Sequence, residues 1–162
     1  MTYADGWLDR DRMTTERKYL PTIADLIDRL SISLMKSIFI ANAREHYHAE
    51  MKLLMEDIWS FFTAHDLDRK EDKFIYAVLV LMLANATIWQ NEGDIRTTPM
   101  TDGKPDGYKD IAQRLIFTHS INGVRTRAKN EINKILGERW DAKVDCLAAD
   151  LPPQFGNWDV FK

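Results

Sequence analysis

The chain of 162 residues contains one cysteine, Cys146. No intrachain disulfide can form, and cysteine thiolates cannot build a zinc site. A single thiol suits a reducing compartment, so a cytoplasmic location is expected. Positive charge is also short: 22 Lys and Arg against 25 Asp and Glu leave a formal net charge of −3. Without a basic excess nothing draws phosphate backbones or anionic lipid, and nucleic acid is not an expected partner. The opening stretch MTYADGWLDRDRMTTERKYL is charged where a signal sequence needs an apolar core. The longest apolar run, 74–86, is broken by Asn85 and is shorter than the ~20 residues of a spanning helix, so it reads as the central buried helix of a soluble domain with no membrane contact. Period-two alternation, internal repeats, a glycine-rich phosphate loop, a nucleophile elbow and zinc signatures are missing as well. Sheet-based folds and the enzymes that carry those motifs are thereby excluded.

What is present is helical periodicity. Thr22 is a good N-cap for a helix over about 22–40, whose residues Ile23, Leu26, Ile27, Leu30, Leu34 and Ile38 share one face. Its opposite face carries Asp25, Asp28, Arg29 and Lys36, with Ile32 among them, which implies partial cover there. A second helix over about 43–64 has the seam Tyr47, Met51, Leu54, Ile58 and Phe61. A third, about 73–96, is apolar almost all round in its first half. The segment 97–107, with two prolines and two glycines, is a loop, and a fourth helix over about 108–136 ends at Gly137. A short helix at 141–149 completes the expectation: an all-α helical bundle at 20–150, an N-terminal arm at 1–19, and an aromatic tail at 151–162 that packs on the domain or on a partner. Trp7 in the arm and Trp158 in the tail make a homo-oligomer through those segments one expected assembly.

Two polar stripes stand out. Asn85, Trp89, Glu92 and Arg96 are spaced four, three and four on the third helix; Asn122, Arg125, Lys129 and Asn133 are spaced three, four and four on the fourth. The second stripe borders the apolar seam Phe117, Ile121, Val124, Ala128, Ile132 and Ile135. Antiparallel packing that matches the stripes puts Arg96 by Asn122, Glu92 by Arg125 or Lys129, and Asn85 towards Asn133. Charges at a core margin must be paired or must hold a ligand. The seam therefore reads either as a polar network that fixes helix register, or as a site for a small anion with Arg125, Lys129 and Arg96 as donors and Glu92 as orienter.

These stripes, in ANATIWQNEGDIR and HSINGVRTRAKNEINKILGE, together with ADLIDRLSISLMK, resemble an uncharacterised family of small helical bacterial and phage proteins. Position by position, its pattern falls on Asp28, Lys36, Asn85, Trp89, Glu92, Arg96, Asn122, Arg125, Lys129, Asn133 and Gly137. Gly93 departs from it, standing where the family usually has an acid, and so does the long loop before Tyr108. The resemblance implies the architecture and adds Asp28 and Lys36 to the ligand-binding candidates; it implies no activity.

A different class of function rests on Asp25, Asp28, His46, Glu50 and Asp57, acids and a histidine at helical spacings that could share a magnesium ion in a hydrolase of a nucleotide or sugar nucleotide. The expected function is a non-catalytic binding or accessory protein with no cofactor; the alternatives are that hydrolase and a purely structural oligomer.

Overall fold

The computed structural model describes residues 19–65, 72–97, 105–142 and Phe161. The expected helix at 141–149, the arm and the tail lie outside these residues, apart from Tyr19, Asp141, Ala142 and Phe161. Among the described residues the chain is all-α. Its helices are α1 (Ile23–Phe39), α2 (Arg44–His65), α3 (Asp72–Thr97) and α4 (Pro105–Ile135), with a single 3₁₀ turn, Ala41–Ala43, between the first two.

The helix ends have local causes. Thr22 Oγ1 accepts from the Asp25 backbone N–H at 3.2 Å, and the Asp25 carboxylate accepts from Thr22 N–H at 3.0 Å, a closed capping box. At the other end of the fold Gly137 takes φ of 68°, a left-handed conformation that a side chain would strain. It allows a Schellman turn, in which Glu138 N–H donates to the Asn133 carbonyl at 2.8 Å and Gly137 N–H to that of Lys134 at 3.2 Å. That turn delivers the Glu138 carboxylate to the backbone N–H of Ile23, 2.7 Å away, at the positive end of α1. The end of α4 is thus tied to the start of α1.

α3 and α4 form the principal pair. α1 lies against both, and α2 packs along α1. The enclosed core comprises Ile23, Ala24 and Ile27 of α1, Ala77, Val80, Leu81 and Ala84 of α3, and Ile121, Val124, Ala128 and Ile132 of α4. The expected seam of α4 holds for Ile121, Val124, Ala128 and Ile132, with Phe117 packed at its edge; at its end Leu136, not Ile135, packs on the core.

Three expectations change. Ile38, placed in the core of α1, is 56% exposed, because α2 and α3 diverge beside it. α3 is not a central buried helix: α1 and α4 cover one side, while Ile75, Leu79 and Leu83 on the other are each more than half exposed. Its 26 residues are long and apolar enough to cross a membrane by length and composition. The register of α3 on α4 also differs from the stripe-matched one by roughly three helical turns. Asn91 donates to the Arg114 carbonyl at 2.8 Å and to Thr118 Oγ1 at 2.7 Å, and Arg114 donates to Asp94 at 3.1 Å. A connection of only seven residues, 98–104, requires the end of α3 to sit by the start of α4.

Thr22→Ala is expected to lower the unfolding free energy by about 1 kcal/mol, as loss of an N-cap does. Urea titration checks this; an unchanged midpoint would show that Glu138 alone secures this helix end.

Candidate functional site

The charged centre of the molecule is Asp28 of α1, 6% exposed. Arg125 of α4 binds it with two donors: Nε reaches Oδ1 at 2.9 Å, and Nη2 makes a short contact with Oδ2. Asn85 of α3 donates to Oδ1 at 2.7 Å and to Ser31 Oγ at 2.8 Å, and Ser31 in turn donates to the Asp28 carbonyl at 2.9 Å. Lys129, one turn beyond Arg125, pairs with Asp25 at 2.6 Å and stands 3.9 Å from Asp28. Three helices therefore converge on one buried carboxylate. The hydrogen bonds that Arg125 donates to Asp28 raise the Arg125 pKa against the opposing effect of burial. Burial by itself would raise the Asp25 pKa, but hydrogen bonds from Lys129 and Thr22 outweigh it and hold the group below its usual value.

Asp28, Asn85, Arg125 and Lys129 are thus brought together, whereas the sequence pattern set Asn85 towards Asn133 and Arg125 or Lys129 by Glu92, with Asp28 on the outer face of α1. It is interior because α3 and α4 both approach that side. Asn122 joins the edge: its Oδ1 lies 3.4 Å from Arg125 Nη1 and its amide donates to the Thr118 carbonyl at 3.2 Å. The other half of the α3 stripe does not take part. Glu92 and Arg96 are exposed and pair with each other at 3.7 Å, far from the expected meeting with Arg125 and Asn122. Trp89 stacks on Phe39 of α1, with centroids 6.3 Å apart. Lys36 turns towards α2, its ammonium 5.5 Å from the Tyr47 ring centroid. Gly93 has open space where a Cβ would stand, so the family's acid at that position would not have reached Asp28.

The acids of the hydrolase alternative are dispersed. Asp25 and Asp28 face Lys129 and Arg125, whereas Glu50 binds Arg29 at 2.6 Å and accepts from Ser33 at 2.9 Å. His46 lies edge-on to Tyr47, and Asp57 is exposed on α2. Among the described residues no three His, Cys, Asp or Glu side chains form a metal-sized group. The hydrogen bonds and charge of Arg29, with Ser33, lower the Glu50 pKa against the effect of burial.

The Arg125 guanidinium is engaged by Asp28 and Asn122, and the seam runs on into open space. Beside Lys129 lies a cleft of about 390 Å³ between the start of α1 and the end of α4. Thr22, Asp25, Thr126 and Lys129 form one wall, and Asn130 and Asn133 the floor. Tyr19, Arg139 and Trp140 stand at the rim. The far wall is pinned by Asn130, whose side chain donates to the Asp141 carbonyl at 2.7 Å and accepts from its N–H at 3.0 Å. Arg139 stacks on Tyr19 at 3.9 Å and also binds the Leu20 carbonyl. Asn133 is 5% exposed, and its Oδ1 is buried with no hydrogen-bond partner. A buried acceptor left unpaired costs about 1–3 kcal/mol.

Ser31, Asn91, Asn130, Glu138 and Arg139 join these contacts without standing out in either sequence stripe. A signal existed for Asn91, which continues the four–three spacing of Ala77, Leu81, Ala84 and Ile88 into the core. Asn130 had none, since its partner is a backbone group beyond the helix.

Arg125→Met, which leaves the Asp28 carboxylate buried without its main partner, is expected to cost about 3–5 kcal/mol in denaturant titrations. Adding Asp28→Leu should recover most of that; a double variant as unstable as the single one would show that the pair is not the constraint. Glu92→Ala, at an exposed helix pair, should cost under about 1 kcal/mol.

The folded chain holds Asp25 and Glu50 at lower pKa than the unfolded chain does. Their stabilisation is complete above the ordinary carboxylate range and is lost as pH falls through the lowered values. The melting temperature is expected to drop between about pH 5 and about pH 2, with a shallower acid limb in Asp25→Asn. An identical limb in that variant would assign acid sensitivity elsewhere.

Compared with known protein families, with curated proteins and with solved structures, the chain shows no significant match.

Proposed function

We propose that this chain is a non-enzymatic helical binding protein, in which the charged seam is a structural lock and the cleft at its end takes the ligand. The observation that carries the reading is the polar cleft at the end of the seam, whose lining includes both Lys129 and Arg139. These two cations favour an anionic group there, and Asn133 in the same lining adds an amide. Lys129 already shares one of its three donors with Asp25 and has others to offer. Tyr19 and Trp140, 79% and 54% exposed, offer flat walls to a ring. The cleft volume lies within the roughly 300–1,000 Å³ usual for small-molecule sites. The ligand class that meets all these demands is a small phosphorylated or carboxylated compound with hydroxyl or amino donors, such as a sugar phosphate or a nucleoside monophosphate.

This moves the expected anion site by one helical turn and more, from Arg125 to the far side of Lys129. Membership of the bacterial and phage family that the stripes resemble belongs to the same proposal, as does a cytoplasmic setting, which rests on the lone cysteine. The magnesium hydrolase has no corresponding observation in its favour.

Thermal shift and calorimetry with inorganic phosphate, a hexose phosphate and a nucleoside monophosphate test the reading. The donor-bearing compounds are expected to stabilise the protein more than phosphate alone. Asn133→Leu and Arg139→Ala, which leave the Asp28 pairs in place, are expected to weaken binding by about tenfold or more, the cost of a lost charged or buried hydrogen bond. No stabilisation by any of the three compounds, or binding indifferent to both variants, would refute the site.

A further inference from the structure

The cleft that Lys129 and Arg139 line is not uniformly basic. Asp25 stands in the same wall, paired with Lys129, and 38% of its side chain is exposed. Its position has a local cause. As the third residue of α1 it closes the capping box, and its Oδ2 accepts from both Thr22 N–H and the Thr22 hydroxyl at 3.0 Å. Lys129 Nζ reaches the other oxygen, Oδ1, from α4 at 2.6 Å. The cap therefore holds one oxygen of the carboxylate and leaves the other beside the cation of the cleft. Asp141, the second acid in the lining, belongs to the far wall, where its backbone bonds to Asn130.

This geometry decides what an incoming anion meets. Lys129 Nζ lies 2.6 Å from Asp25 and 3.9 Å from Asp28, which keeps the ammonium at the seam while its remaining donors serve a ligand. An oxyanion that accepts from Nζ then stands no farther from Asp25 Oδ1 than two hydrogen-bond lengths, about 6 Å. Like charges at that range repel, and more so at a part-buried site than in water. A charged carboxylate accepts and cannot donate, so the contact improves only when the ligand points a hydrogen at Oδ1. The repulsion then becomes a charge-assisted hydrogen bond. Lys129 and Arg139 attract every anion that fits; Asp25 supplies the unfavourable element that only some anions escape.

We infer that Asp25 is the specificity-determining residue of the cleft: it admits anions that carry a donor hydrogen beside their charge and turns away those that carry none. The inference rests on the reading that the cleft takes an anion. Its chemistry separates two ions of nearly the same shape. Sulfate has four acceptor oxygens and no hydrogen, whereas hydrogen phosphate keeps one hydroxyl and a sugar phosphate brings several on its ring. Sulfate sets an acceptor against an acceptor at Oδ1; hydrogen phosphate and the ring hydroxyls meet it with a donor. A site built around a polar partner rejects the analogue that lacks the matching group more strongly than an apolar pocket does. The ligand that satisfies Lys129 and Asp25 together is a hydroxylated phosphate.

Calorimetry of the full-length chain at fixed ionic strength compares sulfate, phosphate and a hexose phosphate in mildly alkaline solution, where sulfate and phosphate are both dianions. The wild type is expected to bind phosphate at least about tenfold more tightly than sulfate. In Asp25→Asn the amide oxygen keeps the cap with Thr22 while the amide nitrogen faces the cleft, so the helical circular dichroism should hold. Sulfate should then gain at least about fivefold, and the preference for phosphate should shrink to about twofold or less. Thr22→Ala weakens the same capping box but leaves the Asp25 carboxylate; it should keep the wild-type preference, which separates selection from a helix-end effect. A wild type that binds sulfate as tightly as phosphate overturns the inference. So does sulfate binding no stronger in Asp25→Asn than in the wild type, and where phosphate binds, either result leaves the anion cleft standing. Failure of all three compounds to bind either protein refutes the cleft itself and the inference with it.

Discussion

The structure depends on one constraint: the Asp28 carboxylate is buried and must be satisfied from several sides at once. A carboxylate away from water is tolerated only when charge and hydrogen bonds replace its hydration. Arg125 supplies the charge and two donors from α4, and Asn85 supplies a third from α3. Sliding any of the three helices by a turn would break at least one of these contacts. The apolar core alone would be more forgiving, because its small residues Ala77, Ala84 and Ala128 would meet a shifted neighbour at little cost. Asp28 therefore specifies register more than it adds stability, which is the role such buried pairs serve best.

The same constraint shows what could be read from the sequence. Helix positions were legible because their causes are local: the capping box at Thr22, the left-handed Gly137, and apolar spacing in between. Arg125, Lys129 and Asn85 were legible as a set because charge and amide groups at a core margin must have partners. Their partner was harder to see. Asp28 lies on the charged face of α1, and nothing local states that two helices approach that face. The stripes on α3 and α4 share their spacing, which invited matching them to each other. The register that forms instead is held by Asn91, which belongs to neither stripe and bonds to the Arg114 carbonyl and to Thr118.

Asn133 is the point at which lock and cleft meet. It stands one turn beyond Lys129 on the face that α4 turns towards α1, and its backbone carbonyl is taken by the Schellman turn at Glu138. Turn and lock together fix the wall of the cleft from both ends: Glu138 and Arg139 hold the entry to α1, while Lys129 and Asp25 hold its first turn. The orphaned amide oxygen thus sits on the most constrained part of the fold, where relaxation towards solvent is least available.

α3 illustrates how one helix serves three surfaces. Its Asn85 side closes on Asp28, its Ala77–Leu81–Ala84–Ile88–Asn91 seam meets α4, and its Ile75–Leu79–Met82 stripe stands exposed. Apolarity on all sides, which in the sequence indicates a helix at the centre of its own domain, here belongs to a helix covered on one side. A membrane helix shares the apolarity but has no use for a buried amide bonded to a carboxylate on a neighbouring charged helix.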